Sequence, residues 1–119
     1  MKILLISEFS KPWNNGWYYK AGLEKNGHEV IQFDPESLKD PAGRILDILR
    51  EHKPGFVLHT KDELPAGTFE ELRQHTKVIM WYPDPVVPEW LVPYVKACDV
   101  FLTMSEGLIP EFKKYNQNV

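Results

Sequence analysis

The sequence is poor in the features that mark specialised protein classes. Cys98 is the single cysteine among 119 residues, so no internal disulfide can form and no CxxC metal or redox motif exists. Long hydrophobic runs are missing as well. The N-terminal apolar stretch Ile3, Leu4, Leu5, Ile6 meets Ser7 and Glu8 at once, too short for a secretory signal or a membrane span, and a cytoplasmic location is expected. There is no excess of positive charge. Fourteen Lys and Arg against seventeen Asp and Glu give a net charge of -3, which offers neither a phosphate backbone nor an anionic membrane a basic face to hold, and nucleic acid is not an expected partner. Other absences exclude particular chemistries. No GxGxxG follows the first strand and no GxxxxGK[ST] occurs, which removes the usual dinucleotide and phosphate-loop routes. The four histidines lack HExxH spacing, so a metal site is not expected, and no GxSxG elbow surrounds a serine.

What is present is an ordinary globular composition with two unusual counts. The chain is 43% hydrophobic and 26% charged, long enough for one domain spanning residues 1–119 that buries roughly two-thirds of its unfolded surface. Ten prolines and an aromatic share of 13% stand out.

Short apolar runs alternate with amphipathic stretches of helical length, the pattern of βαβ units around a parallel sheet. The spacing predicts five strands and five helices. Lys2–Ser7 is near-continuously apolar, as a strand buried on both faces should be. A polar and aromatic loop leads to a helix over about Gly16–Lys25, ended by Asn26-Gly27, and Glu29–Asp34 is the second strand. Asp40-Pro41 supplies an N-cap and a proline at the first helical position, and Ala42, Ile45, Leu46 and Leu49 recur at helical spacing. Lys53-Pro54-Gly55 then breaks the chain before a strand from Phe56 to His59. Thr68 and Glu71 are spaced as a capping box for a short third helix, and Val78–Trp81 is the fourth strand. A fourth helix over Glu89–Ala97 is kinked or split by Pro93, the fifth strand is Val100–Thr103, and a last helix covers Glu111–Tyr115. The fold expected is a three-layer Rossmann-like α/β domain, with a five-stranded parallel sheet in the order 3-2-1-4-5.

Ligands of open parallel sheets bind beyond the C-terminal strand ends, so the residues just after each strand are the candidates. The loop SEFSKPWNNGWYY sets large aromatics beside asparagines at a helix start. Aromatic faces stack on sugars or bases while amides and backbone N–H groups bond hydroxyls or anions, which makes Trp13, Asn15, Gly16, Trp17 and Tyr18 candidate ligand contacts. Packing of the helix is the alternative role for Trp17, Tyr18 and Tyr19. Asp84, stiffened between Pro83 and Pro85, is a candidate base or hydroxyl-orienting carboxylate, the alternative being an ordinary proline turn. His59 is a candidate base or a half-buried hydrogen bonder. Glu8 and the pair Lys61 and Asp62 face the same rim, or are solvated loop charges. Cys98 is expected to pack at the end of the fourth helix.

The succession MKILLIS, GWYYKAGLEKNGHEVIQFDP, HKPGFVLHTKDEL, KVIMWYPDP and CDVFLTMSEGLIPEFKKY resembles the N-terminal half of GT-B glycosyltransferases, most closely the group related to the spore maturation protein CgeB. The resemblance covers nearly the whole chain. It implies an acceptor-side domain that would transfer hexose only when completed by a donor domain or partner chain carrying the nucleotide-sugar, with no cofactor of its own and a carbohydrate or glycosylated acceptor. On it, Asp84 and His59 map to the catalytic rim, and Glu8, Trp13, Asn15, Gly16, Trp17, Tyr18 and Lys61 to ligand binding. Of the glycine pair common after the first strand in related enzymes, only Gly16 is present.

A second reading is a non-catalytic Rossmann-like binding or interaction module whose exposed aromatics dock a protein or a second copy of the chain. A third is a receiver-like signalling domain. That fold needs an acidic pair after the first strand and a phosphorylatable Asp after the third, and Glu8 alone and His59-Thr60-Lys61-Asp62 fit it badly.

Overall fold

The computed structural model describes residues 1–36, 38–61 and 63–119; Ser37 and Asp62 lie outside the described residues. Five strands, β1 (Lys2–Ile6), β2 (Glu29–Phe33), β3 (Phe56–Thr60), β4 (Lys77–Tyr82) and β5 (Val100–Thr103), alternate with α1 (Asn15–Lys25), α2 (Pro41–His52), α3 (Thr68–Arg73), α4 (Val92–Ala97) and α5 (Ile109–Phe112). All strand pairs are parallel, so the expected α/β class holds.

The strand order differs from expectation. It is β2-β1-β3-β4-β5, with β3 directly against β1 through Ile3 opposite Phe56 to Ile6 opposite His59. The order 3-2-1-4-5 would have placed β2 between two neighbours. Its residues explain why it lies at the edge. Glu29 and Gln32 are exposed and only Phe33 of the strand is buried, whereas β3 buries Val57, His59 and Thr60. A central parallel strand has both faces covered and cannot carry two solvated polar side chains, while an edge strand gains from them. At the opposite edge the C-terminal tail covers β5, where the Phe101 N–H donates to the Asn118 carbonyl at 2.9 Å.

Local sequence accounts for most element ends. The Asp40 carboxylate accepts from the Gly43 N–H at 3.1 Å and Pro41 opens α2, which buries Ile45, Ile48 and Leu49 against the sheet. Lys53 at φ 46° closes it just before Pro54. The fourth helical segment is split as its proline requires: a 3₁₀ turn over Glu89–Leu91 precedes α4, and Pro93 sits in the first turn of α4, where no N–H is needed. Thr68 is not a cap. Gly67 holds that position with no side-chain hydrogen bond, because a turn closed by Thr68 N–H to the Pro65 carbonyl already leads into α3. The last helix begins earlier than expected, at Ile109 after a 3₁₀ turn over Glu106–Leu108.

Strand alternation sorts the side chains onto two unequal faces. Leu4, Ile6, Val57, Val78, Met80, Tyr82 and Phe101 share one core with α2, α3, α4 and α5, whose Phe112 ring lies 4.6 Å from that of Phe101. Ile3 and Leu5 point the other way and are fully buried. On that second side the one helix among the described residues is α1, which sits over β1 and β2 and reaches β4 through Tyr19, whose hydroxyl accepts from Trp81 Nε1.

Cys98 closes α4 inside the larger core, as expected, and burial pushes its thiol up to about 11. A thiol that stays protonated is a poor nucleophile. At pH 8 the folded chain is therefore expected to resist a thiol reagent and to react completely once unfolded in guanidinium; fast labelling of the native chain would contradict this packing.

Candidate functional site

With β1 beside β3, the strand order reverses between those two strands, and the crevice expected of an open parallel sheet opens at their C-terminal ends. A cavity of about 170 Å³ lies there, lined by Ser7 and Glu8 just past β1, Trp13 of the following loop, Asn15 at the start of α1, Thr60 at the end of β3 and Lys61 just past it. In the expected strand order β4 would have faced β1, so the crevice has moved to the end of β3.

The floor is a hydroxyl pair. Thr60 Oγ1 lies 2.8 Å from Ser7 Oγ and donates toward the Ile6 carbonyl at 3.2 Å, joining β1 to β3 across buried hydroxyls. The wall is the loop from Glu8 to Asn14, and its shape is set by hydrogen bonds. The Phe9 N–H donates to the Asp34 carboxylate at 2.8 Å, Lys11 N–H to Asn14 Oδ1 at 2.8 Å, and Asn14 Nδ2 to the Glu8 carboxylate at 3.2 Å. Trp17 Nε1 reaches the carbonyls of Phe9 and Lys11, each at 3.1 Å. Gly16 is needed for close approach. A Cβ there would lie 2.3 Å from the Glu8 carbonyl oxygen and 3.0 Å from the Phe9 ring, so a larger residue would push α1 off the loop.

Lys61 is held at φ 54° just past β3, its N–H donating to the Trp81 carbonyl, and its Nζ pairs with the Asp84 carboxylate at 3.3 Å. Both side chains are about half exposed, so the pair positions the two loops and contributes little to stability.

His59 does not reach the rim. It is fully buried on the opposite face of β3, against the rings of Phe69 and Tyr94. Its Nε2 accepts the Leu64 N–H at 3.0 Å, and Tyr94 Oη donates to the Leu64 carbonyl at 2.6 Å. Together they clamp the buried Leu64, and with it the loop that carries Lys61 and Glu63. Since Nε2 is an acceptor, the neutral ring carries its proton on Nδ1, which is buried with no hydrogen-bond partner among the described residues. Desolvation lowers the imidazole pKa from 6.5 to about 3.

Of the residues singled out in the sequence, Glu8, Trp13, Asn15 and Lys61 line the cavity, and Asp84 reaches it through Lys61. Gly16 is packed beneath the loop. Trp17 turns to the loop's other side, edge-on to Phe9 at 5.2 Å with Lys20 over its ring. Tyr18 points away along the sheet, beside Leu58 and Leu102. Asp62 falls outside the described residues. Sequence reasoning missed Glu63, which also lines the cavity, and gave no specific role to Ser7, Asn14 or Thr60; Ser7 and Thr60 are hydrogen-bond partners 53 residues apart, a pairing that no local signal carries. Among the described residues no three His, Cys, Asp or Glu side chains are grouped to hold a metal ion. Nor is any helix among them long and apolar enough to cross a membrane.

Comparison with solved structures places the same architecture in receiver domains. The chain is similar to a two-component response regulator from Clostridium difficile, with a TM-score of 0.60 and 15% identity over 97% of this chain and 94% of that one. It is similar to a CheY-like response regulator receiver domain protein from Methanospirillum hungatei JF-1, with a TM-score of 0.56 and 15% identity over 96% and 92% of the two chains. No protein-family model and no curated protein matches the chain. At 15% identity the likeness is one of fold. It overturns the expected acceptor half of a GT-B glycosyltransferase: the neighbours are receiver domains, and the transferase reading, its CgeB-like assignment and its hexosyl chemistry fall with it. A donor domain and a carbohydrate acceptor lose their support for the same reason.

The buried imidazole makes stability depend on pH. His59 titrates near 6.5 in the unfolded chain and near 3 in the folded one, so between those values the unfolded state binds the extra proton. Its contribution is complete above pH 6.5 and drains as pH falls toward 3. The stability difference between the wild type and His59→Gln, which can keep an acceptor for Leu64, is expected to change with a slope approaching 1.4 kcal/mol per pH unit across that window. Parallel urea-denaturation profiles for the two proteins would show that His59 is not the buried neutral group.

Proposed function

We propose that this chain is a non-catalytic interaction module on a receiver-like fold, acting through protein contacts and not through group transfer. The observation that supports this best is what stands at the end of β3. Thr60 occupies the last strand position with its hydroxyl committed to Ile6 and Ser7, and the next side chain, Lys61, is paired with Asp84. A receiver that accepts a phosphoryl group needs a carboxylate there and an acidic pair after β1, where this chain has Ser7 and Glu8. The rim groups are largely satisfied by one another, and the cavity is smaller than the ~300 Å³ at which small-molecule sites begin. What the rim offers outward is Trp13, 71% exposed on a loop whose backbone is fixed by Asp34, Asn14 and Trp17. A rigid loop presenting one large aromatic suits docking, because little conformational freedom is lost when it is covered.

Incubation with acetyl phosphate and Mg²⁺, followed by intact-mass and amide-shift measurements, tests this reading. No phosphoryl adduct and no rim shifts are expected. An adduct on Asp62 or Glu8 would make the chain a phosphorylation switch and overturn the proposal.

A further inference from the structure

Of the asparagines in the sequence, two precede a glycine: Asn15 before Gly16 and Asn26 before Gly27. An asparagine side chain can be attacked by the backbone nitrogen of the next residue, and a glycine has no side chain to shield that nitrogen. The two pairs stand at opposite ends of α1 and in opposite surroundings. Gly16 is buried beneath the rim loop, where a Cβ would collide with the Glu8 carbonyl oxygen and lie 3.0 Å from the Phe9 ring. Gly27 is exposed, and a Cβ built on it meets nothing within 4 Å.

The second pair is also the joint of a helix ending. Asn26 closes α1 at φ -88° and ψ 12°, and Gly27 follows at φ 89°, in the left-handed region that favours glycine. The Gly27 N–H donates to the Glu24 carbonyl at 3.0 Å and the His28 N–H to the Leu23 carbonyl at 3.1 Å, the nested pair of bonds of a Schellman ending. Asn26 Nδ2 adds another, to the Gly22 carbonyl at 2.8 Å. All of these belong to one last turn whose Asn26 and Gly27 are exposed, and such a turn opens without the rest of its helix. Opening at Asn15 is a larger event. It would pull Gly16 from under Glu8 and Phe9, and it would strain Trp17, which is fastened to the carbonyls of Phe9 and Lys11.

We propose that Asn26 is a site of spontaneous covalent modification, deamidation through a cyclic imide, and that the product dismantles the C-terminal cap of α1. When the last turn opens and ψ of Asn26 rotates, the Gly27 nitrogen attacks the Asn26 side-chain carbonyl carbon. A C–N bond forms, the bond to Nδ2 breaks, and Nδ2 leaves as ammonia with the proton that the Gly27 nitrogen gives up. Water then opens the ring at either carbonyl. One opening leaves aspartate in the ordinary backbone; the other leaves isoaspartate, in which the main chain runs through the side-chain carbon and is longer by a methylene. Both products lose the amide that donated to the Gly22 carbonyl and gain a carboxylate at the helix end where carbonyls already point. Isoaspartate does more. Its extra atom lies just before the donors of Gly27 and His28 and moves both out of register with Glu24 and Leu23. The site is at the far end of α1 from the rim, so this proposal and the reading of the rim can fail separately.

Peptide mapping by mass spectrometry after prolonged incubation of the 119-residue chain at pH 8, folded and in guanidinium, tests it, with radical fragmentation to tell isoaspartate from aspartate. In the folded chain Asn26 is expected to convert at least about tenfold faster than Asn15, and in guanidinium the two should convert at similar rates. The aged folded protein should exchange the amide hydrogens of Gly27 and His28 at least about tenfold faster than fresh protein. Asn26→Gln, whose longer side chain closes a ring poorly, should show no such change over the same incubation. Equal conversion of Asn15 and Asn26 in the folded chain would overturn the proposal. So would an Asn26 that stays intact while the unfolded chain converts, or modified protein whose Gly27 and His28 amides exchange as slowly as before.

Discussion

A parallel sheet has to hide both faces from water, and in this molecule that requirement is met on one face and half met on the other. The larger core gathers four helices, the buried Cys98 and the Phe101–Phe112 contact on one side. The remaining side relies on α1. That helix is held less by side chains of its own than by the loop before it, through the Gly16 approach to the Glu8 carbonyl and the Trp17 clamp on Phe9 and Lys11, and at its middle by Trp81 Nε1 donating to Tyr19 Oη at 3.1 Å. The same loop walls the rim cavity.

The pairing of β1 with β3 decides what the rim contains. It brings Ser7 against Thr60 and sends His59 inward, where with Tyr94 it holds Leu64. The polar residues at the strand ends consequently bind one another. Glu8 takes Asn14, Asp34 takes Phe9 N–H, and Asp84 takes Lys61. Such a rim holds its loops in place through contacts made by its own side chains.

Features coded by neighbouring residues were legible in the sequence. Asp40-Pro41 marks the start of α2, Asn26-Gly27 the end of α1, Pro93 the split before α4, and β5 has the bounds its apolar run implies. Features set by distant pairing were not. The cue to strand order was present, since Glu29 and Gln32 are too polar for a central strand, but it becomes decisive only when β2 and β3 are compared as competitors for the place beside β1. His59 read as a rim residue because it ends an apolar run; alternation puts it on the core face, one residue before Thr60. The glycosyltransferase resemblance rested on short strand and turn patterns that many α/β domains share, and strand order, which separates those domains, leaves little trace in such segments. The open half-face was equally hidden, because nothing local says on which side of the sheet α5 will settle.

The most direct test of this account is a titration of the isotope-labelled chain with beryllofluoride and Mg²⁺, a stable mimic of a transferred phosphoryl group, read by amide shifts at the rim. The account predicts that the amides of Ser7, Glu8, Thr60 and Lys61 stay unmoved. Saturable shifts at these residues would contradict it.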